Sequence, residues 1–379
     1  MKIAVPKETL KTENRVAASP DVVKKWTKLG LTVCIESGAG EASGFSDKSY
    51  TEAGAQIAKT PKDVYDQAHI IVKVQKPQEG KAGELDLMPM GATIVAHFNH
   101  SFTEGYLQAL SLRKLNVFAL ERVPRITRAQ TMDVLSSQSN LAGYRSVIVG
   151  VNALTKALPM MMTAAGTIMP AKVLIVGAGV AGLQAIATAK RLGAVVSAFD
   201  VRPAAKEQVE SLGAKFIEVA EDASAETAGG YAKEMSEEYK KKQAERLKEA
   251  LSKSDLVITT ALIPGRPAPK IITQEMVEGM PINSVIVDMA AEKGGNCELT
   301  KAGGDVNHKG VRIMGPLNLA SELAGNASAL YAKNMSSFLD LMVSDQDGKA
   351  HLNPEVDDEI IRASCVMLSG KVTENERSS

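Results

Sequence analysis

Short apolar runs rich in Val and Ile alternate, along the first third of the chain, with stretches that carry helix start and stop signals. The runs at 2–5, 32–36, 70–74, 93–97 and 116–120 predict strands. Ser19 ahead of Pro20 predicts an N-cap and a first helical residue for a helix over 21–29, which Gly30 ends; Ser46 opens a second helix over 47–53, ended by Gly54. Such alternation predicts a mostly parallel sheet covered on both faces. A second series starts at Val173. The run V-L-I-V reaches a turn at Gly177-Ala178-Gly179, an Ala-rich helix follows with Gly182 in its first turn and Gly193 as its stop, and a strand over 195–199 ends at Asp200. A helix over 204–212, a strand over 215–219, a highly charged helix over 234–253 and strands over 256–260 and 284–288 continue it.

These elements predict an α/β protein of two Rossmann-like, doubly wound parallel-sheet domains. A helix over 327–343, N-capped by Asn326 and apolar along one face, carries the chain back to the first domain, so the boundaries are 1–136 with 325–379 for the first and 137–324 for the second. Between the two series a helix is expected over 141–158, stopped by Pro159, and the polar tail to Ser379 is expected to fray at its end.

Composition narrows the partners. At 379 residues, two domains can each bury a core. Lys plus Arg and Asp plus Glu both number 44, so no net field draws the chain to nucleic acid or to an anionic membrane. Cys34, Cys297 and Cys365 are far apart, odd in number and without ligand spacing, which reads as a reducing compartment. His97 and His100 lack an acid or cysteine near them, so no metal is expected. M-K-I-A-V-P-K-E enters a strand without a secretory leader, and the most apolar region, 146–165, is interrupted by Lys156 and Pro159. A soluble, cytoplasmic chain with no direct membrane insertion is expected.

The stretch from Val173 to Asp200 carries the clearest chemistry. In a dinucleotide-binding turn Gly177 allows the tight bend, Gly179 lets a pyrophosphate approach the backbone, and Gly182 lets helix and strand pack closely. The free N–H groups and positive dipole end of the helix then face the phosphates. Asp200 falls where a carboxylate takes the adenosine ribose hydroxyls, which favours NAD over NADP: at about 4 Å and an effective dielectric of about 20, a carboxylate and a 2′-phosphate charge repel by about 4 kcal/mol. Arg202 pulls the other way, as a residue able to welcome a 2′-phosphate. The competing reading is a buried glycine turn in another α/β fold, which leaves the acid at the second strand's end unexplained.

Other candidates stand on the residues less firmly. Arg15 follows the first strand and Lys73 sits inside the apolar run I-V-K-V, where a lysine must be paired, face a cleft or reach solvent from an edge strand. The segment 123–145 is polar between two apolar regions and groups Arg125, Gln130, Asp133 and Ser136; by composition it reads as an interdomain linker running into a helix capped by Ser136 or Ser137, and alternatively as a loop that hydrogen-bonds a nicotinamide carboxamide and its ribose. The segment 221–230, with Gly230 and Tyr231 at its end, is small-residue-rich and reads either as an ordinary loop or as a flap over bound nucleotide. Gly- and Pro-rich strand ends place Leu262, Asp288 and Glu292 near a cofactor.

With P-R-I-T-R-A-Q-T-M-D-V-L-S-S-Q-S-N-L-A-G-Y-R, M-M-M-T-A-A-G, G-A-G-V-A-G-L-Q-A-I-A-T-A-K-R-L-G-A, E-T-A-G-G-Y-A-K-E-M, T-T-A-L-I-P-G-R-P-A-P and G-G-N-C-E all present, nearly the whole chain resembles the NAD(H)-binding component of the proton-translocating, Re/Si-specific nicotinamide nucleotide transhydrogenase family. The resemblance implies two Rossmann-like domains with the cofactor in the cleft between them, NAD(H) bound by this chain, and direct hydride transfer to NADP(H) on a partner subunit. It implies a homodimer, held peripherally on the cytoplasmic face of the inner membrane by membrane-spanning subunits that couple the reaction to proton movement. It assigns the working loop to Arg125, Gln130, Asp133 and Ser136, reversing the linker reading, with Gln130 reaching toward the second nucleotide and Asp133 holding Arg125 and the carboxamide. The implied cofactor contacts are Gln130, Thr131, Met132, Asp133, Gly177, Gly179, Val180, Gly182, Asp200, Val201, Arg202, Gly230, Tyr231 and Leu262. The alternative is alanine dehydrogenase, of similar fold, whose substrate positions Arg15, Lys73 and His97 resemble; against it stand Glu292 before Lys293-Gly294-Gly295, where that family has an aspartate before Gln-Gly-Gly, and the Arg125, Gln130, Asp133 loop, which is not part of its pattern. A catalytically silent NAD-sensing module is the third reading.

Overall fold

The run Ile70–Gln75 is buried at its first five positions, so both its faces are covered and it is a central strand. Eight strands share its sheet in the order Lys371–Val372, Cys365–Leu368, Asn116–Ala119, Thr93–His97, Ile70–Gln75, Lys2–Val5, Thr32–Glu36 and Gln56–Ala58. The six from Asn116–Ala119 to Gln56–Ala58 are parallel, and the terminal pair adds antiparallel. Period-two alternation distributes neighbours to opposite faces: Ile3 and Val5 pack with Trp26, Met335 and Phe338, whereas Ala4 packs with Tyr65 and Tyr106. This sheet belongs to one compact unit, Met1–Gln138 with Ser321–Ser379; a second unit is Ser139–Ala320.

In the second unit seven strands run Lys215–Phe216, Val195–Phe199, Lys172–Val176, Leu256–Thr259, Val285–Asp288, Val311–Met314 and Asp305–His308. All neighbours are parallel except the closing hairpin pair. Strand order reverses between Lys172–Val176 and Leu256–Thr259, the topological switch point at which open α/β sheets bind ligands. The computed structural model describes all residues except 81–82, 219–236, 264, 347–348, 356 and 374–379.

Local signals formed as their chemistry directs. Ser19 accepts from Val22 N–H at the start of Pro20–Lys28, and Ser46 accepts from Ser49 N–H at the start of Asp47–Glu52. Two expectations need correction. The helix expected over 141–158 runs Val134–Ala153, a turn and more earlier, because Asp133 is its start signal. The end of the tail, expected to fray, lies outside the described residues; ahead of it Val366 and Met367 are fully buried in Cys365–Leu368, which pairs with Asn116–Ala119. The returning helix is Ala324–Leu339 and has Leu323, not Asn326, at its N-cap.

Candidate functional site

The three fingerprint glycines meet three different surroundings. Gly177 has φ +98°, and a Cβ there would lie 2.6 Å from Thr260 Oγ1. A Cβ on Gly182 would stand 1.9 Å from the Gly177 carbonyl oxygen, so the helix Val180–Arg191 can lie this close to its strand only with glycine there. Gly179 is the opposite case. A methyl group at that position would meet nothing within 4 Å, and Gly179 is the helix N-cap, without a side-chain hydrogen bond. A bare backbone at open space beside a twelve-residue helix's N-terminus fits a pyrophosphate. Val180, the first helical residue, is 43 % exposed.

Asp200 ends the strand Val195–Phe199 and is tied to that turn. Its Oδ2 accepts from Ala178 N–H at 2.6 Å and from Arg202 Nη2 at 2.9 Å; its Oδ1 accepts from Arg202 Nε at 2.9 Å and Arg202 N–H at 2.8 Å. Val201 between them is half-buried. Across the switch point Thr260 Oγ1 donates to the Gly177 carbonyl at 3.0 Å, and Leu262 on the following segment is 48 % exposed. That segment is clamped by a residue that the sequence pattern did not single out. Asn296, fully buried, accepts from Ala261 N–H at 3.0 Å and donates to the carbonyls of Ala261 at 2.8 Å and Pro269 at 2.9 Å. Asp288, expected near a cofactor, is fully buried and accepts from the Thr259 and Thr300 hydroxyls and from the Ala290 and Cys297 amides, so its carboxylate anchors the strand end. Glu292 is exposed and accepts from Asn318 N–H at 2.9 Å. Gly230 and Tyr231 lie outside the described residues.

In the first unit the segment Thr127–Met132 is a 3₁₀ turn fastened from inside by Ala129 and Met132, both in the core. Met132 is therefore packed inward, 5 % exposed. Arg125, Gln130 and Thr131 are exposed. Asp133 accepts from Ser136 N–H at 2.9 Å and from Ser136 Oγ at 2.6 Å, so aspartate, not Ser136 or Ser137, opens the helix. Asn334, on the helix Ala324–Leu339, donates to the Thr131 carbonyl at 2.7 Å and accepts from Ser137 Oγ at 2.8 Å, tying the end of the turn and the first turn of the following helix to one side chain. Arg128 is held outward by Asp358, 2.7 Å away, and Glu359.

Lys73 is neither at an edge nor in a cleft. It lies fully buried on the central strand, 3.1 Å from Glu8 and 2.7 Å from Glu84. Burial pulls its ammonium pKa down, yet the two carboxylates outweigh burial and hold it above the usual lysine value. Burial likewise raises Glu8. Arg15 is bound in fork geometry by Glu13, with both Nε and Nη2 at 2.7 Å, and Nη1 donates to Gln138 at 2.8 Å. A cavity of about 130 Å³ opens beside this cluster, with Arg15, Glu13 and Glu8 on its wall. Among the described residues no group of three or more His, Cys, Asp or Glu is placed to hold a metal ion.

The family model for the alanine dehydrogenase/PNT N-terminal domain matches residues 4–142, and that for the alanine dehydrogenase/PNT C-terminal domain matches residues 146–375. The chain is 53 % identical over 376 residues to an NAD(P) transhydrogenase subunit alpha chain of Rhodospirillum rubrum, covering 98 % of this chain and 97 % of that one. It is 32 % identical over 301 residues to an alanine dehydrogenase of Methanococcus maripaludis, covering 79 % of this chain and 74 % of that one. A crystal structure of transhydrogenase from Sinorhizobium meliloti superposes with a TM-score of 0.87 at 48 % identity, over 98 % of this chain and all of that one.

Proposed function

The chain belongs to the alanine dehydrogenase/PNT family, among its NAD(P) transhydrogenase alpha subunits, and from that premise we propose that it binds NAD(H) and passes hydride to NADP(H) held by a partner subunit. The observation that carries the reading is the turn at Gly177–Gly182: open backbone at Gly179, a helix N-terminus beside it, and Asp200 bonded to the same turn. Gly177, Gly179 and Val180 take the pyrophosphate, with Gly182 holding the helix close enough to its strand for this; Asp200, Val201 and Arg202 take the adenosine ribose, and Leu262 lies along the dinucleotide. Arg125, Gln130, Thr131, Asp133, Ser136 and the Met132 backbone are assigned to the nicotinamide and its ribose, with Gly230 and Tyr231 as the flap.

Bound NADH supplies the hydride. The chain's residues then have only to orient and exclude water, since no proton has to be gained or lost at the transferring carbon. Holding two rings in attack geometry supplies several of the roughly 7–11 kcal/mol available from positioning. Gln130, exposed on a turn whose backbone is fixed by Asn334, is the residue proposed to reach the second nucleotide.

We further propose a homodimer that works at the cytoplasmic face of the inner membrane, coupled to proton translocation by its membrane-spanning partners. No described helix is long and apolar enough to cross a membrane. The hairpin of Met161–Thr163 and Gly166–Ile168 supports self-association: Met162 is 81 % and Met169 64 % exposed, a poor surface to leave in water. A second reading, alanine dehydrogenase, is favoured by the cavity with Arg15 on its wall, sized for a small carboxylate.

The test is hydride transfer from NADH to an NADP⁺ analogue by membranes stripped of their peripheral subunit, with and without this chain, beside assays containing pyruvate and ammonia. Activity only on recombination supports the transhydrogenase subunit. Membrane-independent consumption of pyruvate and ammonia overturns it in favour of alanine dehydrogenase, and NADH binding without turnover in any arm leaves a sensing module.

A further inference from the structure

We infer that Asn334 is a positioning residue for hydride transfer, holding the turn Thr127–Met132 so that Gln130 reaches out from a fixed backbone; the inference rests on that turn serving the nicotinamide side of the site as proposed above. Asn334 is 8 % exposed within the sixteen-residue helix Ala324–Leu339, 203 positions from one of its partners and 197 from the other. Helix formation gives no reason for it. Asparagine is a poor helix former, and a buried amide costs free energy unless its donor and acceptor are both met. Here both are met: Nδ2 donates to the Thr131 carbonyl at 2.7 Å, and Oδ1 accepts from Ser137 Oγ at 2.8 Å. The serine hydroxyl is held in turn. It accepts from Gln138 Nε2 at 3.2 Å; Gln138 also donates to the Ala327 carbonyl of the same helix at 3.1 Å and accepts from Arg15 Nη1 at 2.8 Å.

The effect falls on Gln130 from both sides. Ala129 before it is packed in the core, the Gln130 carbonyl accepts from Asp133 N–H at 3.3 Å, and the next carbonyl, that of Thr131, is the one that Asn334 takes. On a loose turn an exposed glutamine would have to order backbone and side chain together each time two nicotinamide rings meet. On this turn only its side-chain torsions are left to settle. Asp133, by contrast, keeps its bonds to Ser136 without help from Asn334. Loss of the Asn334 amide is therefore felt in hydride transfer more than in NADH binding. The bond that matters is the donation to Thr131. An ionised carboxylate of the same shape cannot make it, whereas a protonated one can, with its second oxygen still accepting from Ser137.

The test uses the full chain recombined with stripped membranes, with NADH affinity measured on the chain alone through nicotinamide fluorescence. Asn334→Asp is expected to slow hydride transfer about tenfold near about pH 8. Its rate relative to the unsubstituted chain should return to within about threefold toward about pH 6, as the buried carboxyl takes up a proton. Asn334→Ala has no proton to regain and should be slow at every pH. NADH affinity stays within about threefold in both variants. Combining either with Gln130→Asn should give a chain little slower than the slower single variant, because both changes remove one action. Asp340→Asn, which removes an exposed carboxylate just past the end of the same helix, leaves the rate unchanged. Thermal melts check the fold of each, and Asn334→Ala carries the test if the aspartate variant does not fold. A folded Asn334→Ala chain that transfers hydride at the unsubstituted rate overturns the inference alone. So does an Asn334→Asp deficit of equal size at both pH values, a slowing that adds in full to that of Gln130→Asn, or an affinity loss as large as the rate loss. Gln130→Asn without effect on transfer, or an unsubstituted chain that does not bind NADH, overturns the reading of the site and the inference with it.

Discussion

Both units build a sheet whose strand order reverses beside its first strand, yet the two reversal points hold opposite chemistry. In the second unit the first strand runs through Gly177 directly into a helix, leaving amide groups and open space at Gly179. In the first unit Lys2–Val5 is followed by a charged loop, the next helix waits until Pro20, and the same place is filled by Lys73, Arg15 and the carboxylates of Glu8, Glu13 and Glu84. Topology supplies a crevice twice; the turn that follows the first strand decides what it becomes.

Breaking the filled crevice should cost more stability than breaking the open one. Lys73→Ala leaves two buried carboxylates without their cation and is expected to lower stability by about 3–5 kcal/mol in urea unfolding, while NADH titration at low temperature stays near normal. Loss of NADH binding in a still-folded Lys73→Ala chain would erase the proposed division of labour. Gly182→Ala forces a methyl into the Gly177 carbonyl and should destabilise by about 1–3 kcal/mol, with NADH binding lost rather than weakened. Gln130→Asn shortens an exposed side chain; hydride transfer is expected to slow about tenfold, about 1.4 kcal/mol, with NADH affinity unchanged. A parallel loss of affinity would show that Gln130 holds NADH instead of reaching past it. The smallest effect belongs to Asp358, whose carboxyl is held below its ordinary pKa by hydrogen bonds from Arg128 and from the Ile360 and Ile361 amides. A lowered folded-state pKa stabilises at neutral pH and is lost as pH falls below about 4 through the folded value. Asp358→Asn should therefore lower the melting temperature slightly at pH 7, with the difference closing in acid.

Strand runs, helix caps and the glycine turn were legible in the chain because each rests on interactions within a few residues. Ser19 meets an amide three residues on, and Gly182 meets a carbonyl five residues back. The start of Val134–Ala153 was local as well: Asp133 before Val-Leu, with Ser136 three residues later, is a capping signal, obscured by the polar residues that follow. What the Lys73 ammonium does was not legible. Its partners sit 65 residues upstream and 11 downstream, on a loop and a helix whose approach depends on how the sheet is wound.

The linear chain determined the α/β class, the two series of strands and the glycine turn, since periodicity and backbone sterics act over one or two turns of chain. Tertiary structure alone decided that Asp288 is an anchor, that Asn296 and Asn334 clamp the two candidate loops, and that the tail joins a sheet. Each depends on which buried polar groups are left needing a partner once the strands are ordered, and that requirement exists only in the folded molecule.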